Sequence, residues 1–280
     1  MNKNKSYDPS LDGAKTDFSN NMSYGDYLSL DMLLKAQNPK THHRDELLFI
    51  IQHQISELWM KLAISEINAA RSAIQNSNIR LSFKILSRIS RIFEQLNNAW
   101  DVLRTMTPSD YLTFRDSLGS SSGFQSYQYR LIEFMVGNRN NAMLKPHIHR
   151  HDIIFILKNE LTKASLYDEI LHFMSREGIN IPECILQRDL EKPYISHKDV
   201  IDGWHIVYKN TKKYWLLYEL AEKLVDFEDY FRRWRFNHVT TVERVIGFKR
   251  GTGGTVGVNY LKKMLEVELF PELWSVRTLI

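Results

Sequence analysis

Apolar residues recur at three- and four-residue spacing through most of the chain and rarely alternate, which predicts helices and not strands. Residues 1–22 are polar and aperiodic, a flexible amino-terminal arm by this reading. A short amphipathic helix is predicted over 24–37, with Tyr27, Leu30 and Leu34 on one side and Asn38-Pro39 as its stop. The next helix spans about 45–75. Its positions Leu47, Ile51, Ile55, Leu58 and Leu62 form one apolar stripe, while Phe49 and His53, four apart, share a neighbouring face. A third helix carries the stripe Leu81, Ile85, Ile89, Ile92, Leu96, Ala99, Leu103.

Thr107-Pro108-Ser-Asp110 reads as a helix start, with a hydroxyl cap and proline in the first turn, and that helix runs to Gly119. The small-residue turn Ser120-Ser-Ser-Gly123 precedes a helix over 124–136 that Gly137 closes. Residues 138–198 are the hardest to read. They are Asn-rich at first, briefly apolar at 153–157, then form a capped helix over 165–178 and a loop around Pro182 and Pro193. The longest periodic segment, about 200–246, keeps Leu220, Leu224, Phe227, Phe231, Trp234, His238, Thr241 and Val245 on one stripe, so His238 points inward. Gly247 opens a loop to a last helix over 258–269, before Pro271. The predicted organisation is an arm (1–22) and one all-α domain (23–280), with no internal repeat.

Composition supports this class: 43% of 280 residues are hydrophobic, enough for a sizeable core, and glycine (12) and proline (7) are scarce. The net charge of +4 stands against 37 basic and 33 acidic residues with no basic cluster, so neither nucleic acid nor an anionic membrane is the expected partner. Cys184 is the single cysteine, which excludes an intrachain disulfide and fits a reducing compartment. The amino terminus lacks an apolar signal core and no apolar run is long enough to span a bilayer, so a cytoplasmic protein is expected.

Two histidine segments, Phe49-Ile-Ile-Gln-His53 and Trp234-Arg-Phe-Asn-His238, each set one imidazole among aromatic and aliphatic residues on a helix, which suits a haem between helices. The plainer alternative, core histidines satisfied by backbone or water, stays open on spacing alone. Tyr111 and Arg115 share a helix face. A guanidinium there suits a carboxylate, although a surface pair with Asp116 or a neighbouring acid is the plainer reading of the spacing alone. Gly251-Thr-Gly-Gly254 lacks dinucleotide or P-loop spacing and has no preceding strand. Its glycines would instead let backbone amides and the Thr252 hydroxyl approach a ligand. His147-Ile-His149-Arg-His151 would make a three-histidine metal site on a strand, but a solvated loop is the default reading.

Taken together, Tyr24-Gly-Asp-Tyr27-Leu28, Glu46-Leu-Leu-Phe-Ile-Ile-Gln-His53-Gln-Ile-Ser-Glu-Leu-Trp59, Phe114-Arg115 through Gln125-Ser126, Trp234-Arg-Phe-Asn-His238, Gly247-Phe-Lys-Arg-Gly-Thr-Gly-Gly254 and Phe270-Pro-Glu-Leu-Trp274 closely resemble the tryptophan 2,3-dioxygenases. The resemblance covers about 24–137 and 200–278, and no family motif falls in 138–198. It implies an all-helical homotetramer with one b-type haem per subunit, slotted between helices. L-Tryptophan and O2 would be the substrates and N-formylkynurenine the product, at the head of tryptophan catabolism by the kynurenine pathway.

By the same resemblance His238 matches the proximal iron ligand, His53 the distal histidine at the indole N–H, and Phe49 the aromatic wall. Arg115 matches the carboxylate clamp, Tyr111 its neighbour, and Thr252 the contact near the ammonium. Ser122 and Gly123 match the turn over the distal face, and Trp100 an aromatic at the haem edge. Tyr24, Tyr27 and Leu28 match residues that reach into the adjacent subunit's pocket. Three alternatives remain at this point: a same-fold haem enzyme that oxygenates a substituted indole or inserts a single oxygen atom, a haem-free metal hydrolase built on His147, and a helical binding or scaffold protein.

Overall fold

Capping chemistry written in the sequence sets many of the helix boundaries in the computed structural model, which describes residues 7–280. All regular structure among the described residues is helical, as the periodicity predicts. The chain divides into two units, one ending at Lys40 and the other Thr41–Ile280.

In the amino-terminal unit, residues 1–6 of the expected arm lie outside the described residues, and 7–22 hold only a 3-10 turn at Pro9–Asp12 and bends. The single helix predicted over 24–37 is two short ones, α1 (Tyr24–Leu28) and α2 (Leu30–Leu33). Ser23 and Asp26 form a reciprocal capping box, but Ser29 closes α1 with a left-handed φ of 51°. Neither piece buries a residue, so no tertiary packing carries helix propagation past that break.

The second unit is built on α3 (Arg44–Gln75), α4 (Ile79–Leu103) and α11 (Trp215–Ile246), the long helices that pack most extensively on one another. Their shared core joins Met60, Ala63, Ile67 and Ile74 of α3 to Ile85, Ile89, Phe93 and Leu96 of α4 and Leu224, Phe227 and Phe231 of α11. Here the periodic reading of α3 is corrected. Leu47, Ile51, Ile55, Leu58 and Leu62, the predicted stripe, are between 38% and 49% exposed. Periodicity says that a face is apolar, not what covers it, and the first half of α3 turns Phe49, Gln52, His53, Ser56 and Met60 toward a cavity instead. Leu81 of the α4 stripe is likewise exposed, while Ile85, Ile89, Ile92, Leu96 and Leu103 are buried.

Thr107 and Asp110 cap α5 (Pro108–Phe114) as predicted, and a 3-10 turn, Arg115–Leu118, carries the chain to Gly119. A second 3-10 turn, Gly123–Gln125, precedes α6 (Tyr127–Val136), which Gly137 closes at φ 111°. In the region that resisted reading, a 3-10 stretch (Asn141–His147) leads to α7 (His151–Leu161), α8 (Leu166–Arg176) and α9 (Glu183–Leu186). Ser165 and Asp168 cap α8, as expected. His147 is buried at the end of the 3-10 stretch whereas His149 and His151 are exposed, so the three do not share a strand face. Among the described residues no three His, Cys, Asp or Glu side chains gather as a metal site.

The segment predicted as continuous over 200–246 is interrupted at 210–214, between α10 (Lys198–Lys209) and α11, where Asn210 ends the first helix. The last predicted helix is also shorter, α12 (Val258–Met264), followed by a turn and α13 (Pro271–Val276). Beyond that turn a buried carboxylate holds the chain: Glu228 of α11 accepts the N–H groups of Leu269 (2.7 Å) and Phe270 (3.1 Å), the residues that lead into α13. No described helix is long and apolar enough to cross a membrane.

Candidate functional site

A cavity of about 520 Å³ lies between α3, α4, α6, α11 and the loops around Ser122 and Thr252, within the range of small-molecule and cofactor sites. Most of the residues singled out in the sequence meet there: Phe49, His53, Trp100, Tyr111, Ser122, Gly123, His238 and Thr252 all line it.

His53 is oriented by its own helix. Its Nδ1 stands 2.7 Å from the Phe49 carbonyl, and because a carbonyl can only accept, Nδ1 carries the proton and Nε2 is left as an acceptor. Burial lowers the pKa of this ring, against the opposing effect of the Phe49 carbonyl, so it is neutral near pH 7. The Phe49 ring lies 4.2 Å from the His53 ring and 5.5 Å from Phe114, forming an aromatic wall with Tyr111 at 6.0 Å.

His238 sits on the cavity side of α11. Trp100 stacks on its imidazole at 5.0 Å and 17°, and Trp234 lies 5.6 Å away. Burial drives its pKa down to about 4, with a smaller contribution from nearby His53. The ring is therefore a neutral nitrogen donor packed against two indoles that also touch each other, their centroids 5.8 Å apart. The Trp100 indole N–H is buried and has no hydrogen-bond partner among the described residues.

Two loops close one side. Thr252 donates to the Ser121 carbonyl, and a Cβ on Gly253 would stand 2.8 Å from Ser122 Cβ, so only glycine lets the loops approach this closely. Gly257 adds a second constraint: at φ 58°, a Cβ there would stand 2.6 Å from the Lys249 carbonyl oxygen. Arg115 reinforces the clasp by donating from Nη2 to the Arg250 carbonyl at 2.8 Å, while its Nε is buried and unpartnered. Arg115 is thus beside Tyr111 and the glycine loop but is not among the residues that line the cavity. Tyr24, Tyr27 and Leu28 stand exposed on α1 of the amino-terminal unit.

The sequence reading missed a buried ionic cluster on the same cavity. Glu133 pairs with Arg130 and, at 3.0 Å, with Arg235, and it also accepts from Asn138. Arg235 Nε donates to the Tyr129 hydroxyl at 3.3 Å. Two guanidiniums on one carboxylate leave a surplus positive charge beside the cavity. The available signal was the spacing of Arg130 and Glu133 on an otherwise apolar helix, with Arg235 following Trp234 in the core stripe.

Comparison with known proteins agrees with this picture. The family model described as tryptophan 2,3-dioxygenase matches residues 9–160 and 143–280. A tryptophan 2,3-dioxygenase of Bradyrhizobium diazoefficiens is 63% identical over 274 residues, covering 98% of each chain. Proteins of the same name from Ruegeria sp. (strain TM1040) and Bordetella pertussis are 59% and 56% identical, over 97% and 95% of this chain and 97% and 93% of theirs. With matches of this identity across nearly its whole length, the chain belongs to the tryptophan 2,3-dioxygenase family.

Proposed function

We propose that the protein is a haem-dependent dioxygenase that cleaves the indole C2–C3 bond of L-tryptophan with O2 to give N-formylkynurenine. The observation that carries this reading is the meeting of two neutral imidazoles, His53 from α3 and His238 from α11, on one aromatic-walled cavity.

The residues present fit a haem. His238 supplies a neutral nitrogen donor that none of the described residues engages by a hydrogen bond, the donor type that haem iron takes. The orphaned Trp100 N–H and the surplus charge of the Arg130–Glu133–Arg235 cluster suit the acidic side chains of the macrocycle. Ser122 and Gly123 would cover its other face. Haem b, one per subunit, is the form this reading takes.

When bound, the haem supplies the redox chemistry with O2. His53 Nε2 accepts the indole N–H and so fixes how the ring lies, with Phe49 packed against it. Arg115 and Tyr111 receive the substrate carboxylate and Thr252 lies near the ammonium, which asks the Arg115 guanidinium to exchange its Arg250 contact for the carboxylate. The clasped loops exclude water. Both atoms of O2 remain in the product, so the reaction draws no external reductant or proton.

Assembly as a homotetramer belongs to the same reading, with Tyr24, Tyr27 and Leu28 reaching a neighbouring pocket. It is supported by the exposed ridge from Leu47 to Leu62, about 22 Å of helix, an apolar surface suited to pairing with another helix. The unpaired, exposed Cys184 accords with a reducing cytoplasm.

The test is an absorption spectrum of purified protein with and without dithionite and L-tryptophan, with product mass after turnover. A Soret band that His238→Ala loses, and a product heavier than tryptophan by two oxygen atoms, are expected. Gain of one oxygen atom would favour a monooxygenase on the same fold, and absence of haem binding would remove the reading altogether.

A further inference from the structure

We infer that Arg104 is a positioning residue for His238: its guanidinium clamps the turn of α11 that carries the imidazole and so sets where the ring nitrogens stand in the cavity. The inference rests on the reading of His238 as the haem ligand.

Arg104 follows the last residue of α4, and Trp100 lies four residues before it, so both project from the same side of the helix end. Trp100 stacks on the His238 ring, and Arg104 takes hold of the residues around it. Its Nε donates to Thr241 Oγ1 at 2.9 Å. Its Nη2 reaches Thr240 Oγ1 at 2.6 Å, Asn237 Oδ1 at 3.0 Å and the Asn237 carbonyl at 3.3 Å. Residues 237, 240 and 241 bracket His238 along the helix and around it. The seam continues inward, where Asn237 Nδ2 donates to Asn97 Oδ1 at 2.9 Å and Asn97 Nδ2 donates to the Tyr230 carbonyl at 3.0 Å.

These contacts serve geometry more than charge. The carboxylate closest to Arg104 is Asp101, at 3.5 Å on its own helix, and it is mostly exposed, so that pair contributes little. A histidine side chain has two torsions, and the Trp100 indole stacked on it at 17° restricts the ring plane. What remains free is the axial and rotational setting of α11 against α4, which a planar fork spread over three residues can fix. Lysine, with a single point of attachment, cannot span the same acceptors.

The experiment compares holoenzyme variants Arg104→Met, Arg104→Lys and Thr240→Val with wild type. Two quantities are read: the iron–imidazole stretching band of the ferrous protein by resonance Raman, and the rate of haem transfer to excess apomyoglobin. Arg104→Met should shift or broaden the band and speed haem loss about tenfold, the equivalent of one charge-assisted hydrogen bond. Arg104→Lys should fall between it and wild type. If Arg104→Met does not fold, Thr240→Val, which removes one acceptor, decides the matter by moving both readouts in the same direction to a smaller extent. A lowered melting temperature with the band unmoved and haem loss within about twofold of wild type would mean that Arg104 is only structural, and the inference falls. A wild-type band surviving in His238→Ala would instead overturn the ligand reading itself.

Discussion

His53 offers the sharpest separation between a residue that reads the substrate and one that moves its proton. Because the Phe49 carbonyl takes Nδ1–H at 2.7 Å and burial holds the ring neutral, the cavity-facing Nε2 can accept one hydrogen bond and donate none. His53→Ala therefore removes one acceptor. The expected cost in tryptophan affinity is about 0.5–1.5 kcal/mol, or roughly 2- to 12-fold in Kd. If His53 were an essential general base, its loss would cost about 10²–10⁴-fold in rate. The variant should keep its haem, since His238 lies on another helix, and should retain measurable turnover. The assay compares tryptophan with 1-methyltryptophan, which has no indole N–H, by spectral titration and steady-state kinetics in both proteins. In wild type the methylated substrate forfeits the His53 contact; in His53→Ala the penalty relative to tryptophan should shrink. An undiminished penalty in the variant would show that His53 does not read the indole nitrogen, and a rate loss beyond about 10²-fold would return it to proton transfer.

Arg115→Lys should weaken tryptophan binding by about 2–5 kcal/mol, since a point charge cannot reproduce a bidentate fork. Tryptamine should be a poor substrate of the wild type, and equal turnover of the two would refute the clamp. On the α3 ridge, Ile55→Glu with Leu58→Glu should shift the sedimentation profile toward smaller species, because covering the exposed 40–49% of each side chain contributes about 0.6–1.5 kcal/mol and a partner would have to bury the new charges; an unchanged profile would locate assembly elsewhere. In the haem-free protein the His238 pKa of about 4 lies below the ordinary 6.5, so between these values the unfolded chain binds a proton that the folded chain does not. Stability should thus fall as pH drops from about 6.5 to 4, by at most about 3 kcal/mol for this ring because the cavity leaves it partly solvated. His238→Gln should flatten the slope in denaturant titrations, and an identical slope would refute the assignment.

Local chemistry settled what neighbours in sequence settle. The capping box at Thr107 and Asp110, the Ser165 and Asp168 cap and the Gly137 stop were all legible, because a cap is a contact between residues three or four apart. So was the shared face of Phe49 and His53, along with the family motifs. What the sequence left undecided depends on what a face meets. The stripe from Leu47 to Leu62 has the spacing of a core helix and yet lies on the surface, since the cavity occupies the other side of that half of α3. The entry to α13 is held by Glu228, some forty residues away, which takes the amides at 269 and 270. The pairing of Arg130, Glu133 and Arg235 is made only when α6 and α11 bring them onto one cavity wall. Hydrophobic periodicity fixes which side of a helix avoids water, whereas the partner for that side, and the pairing of buried charges, are decided by packing between segments far apart in the chain.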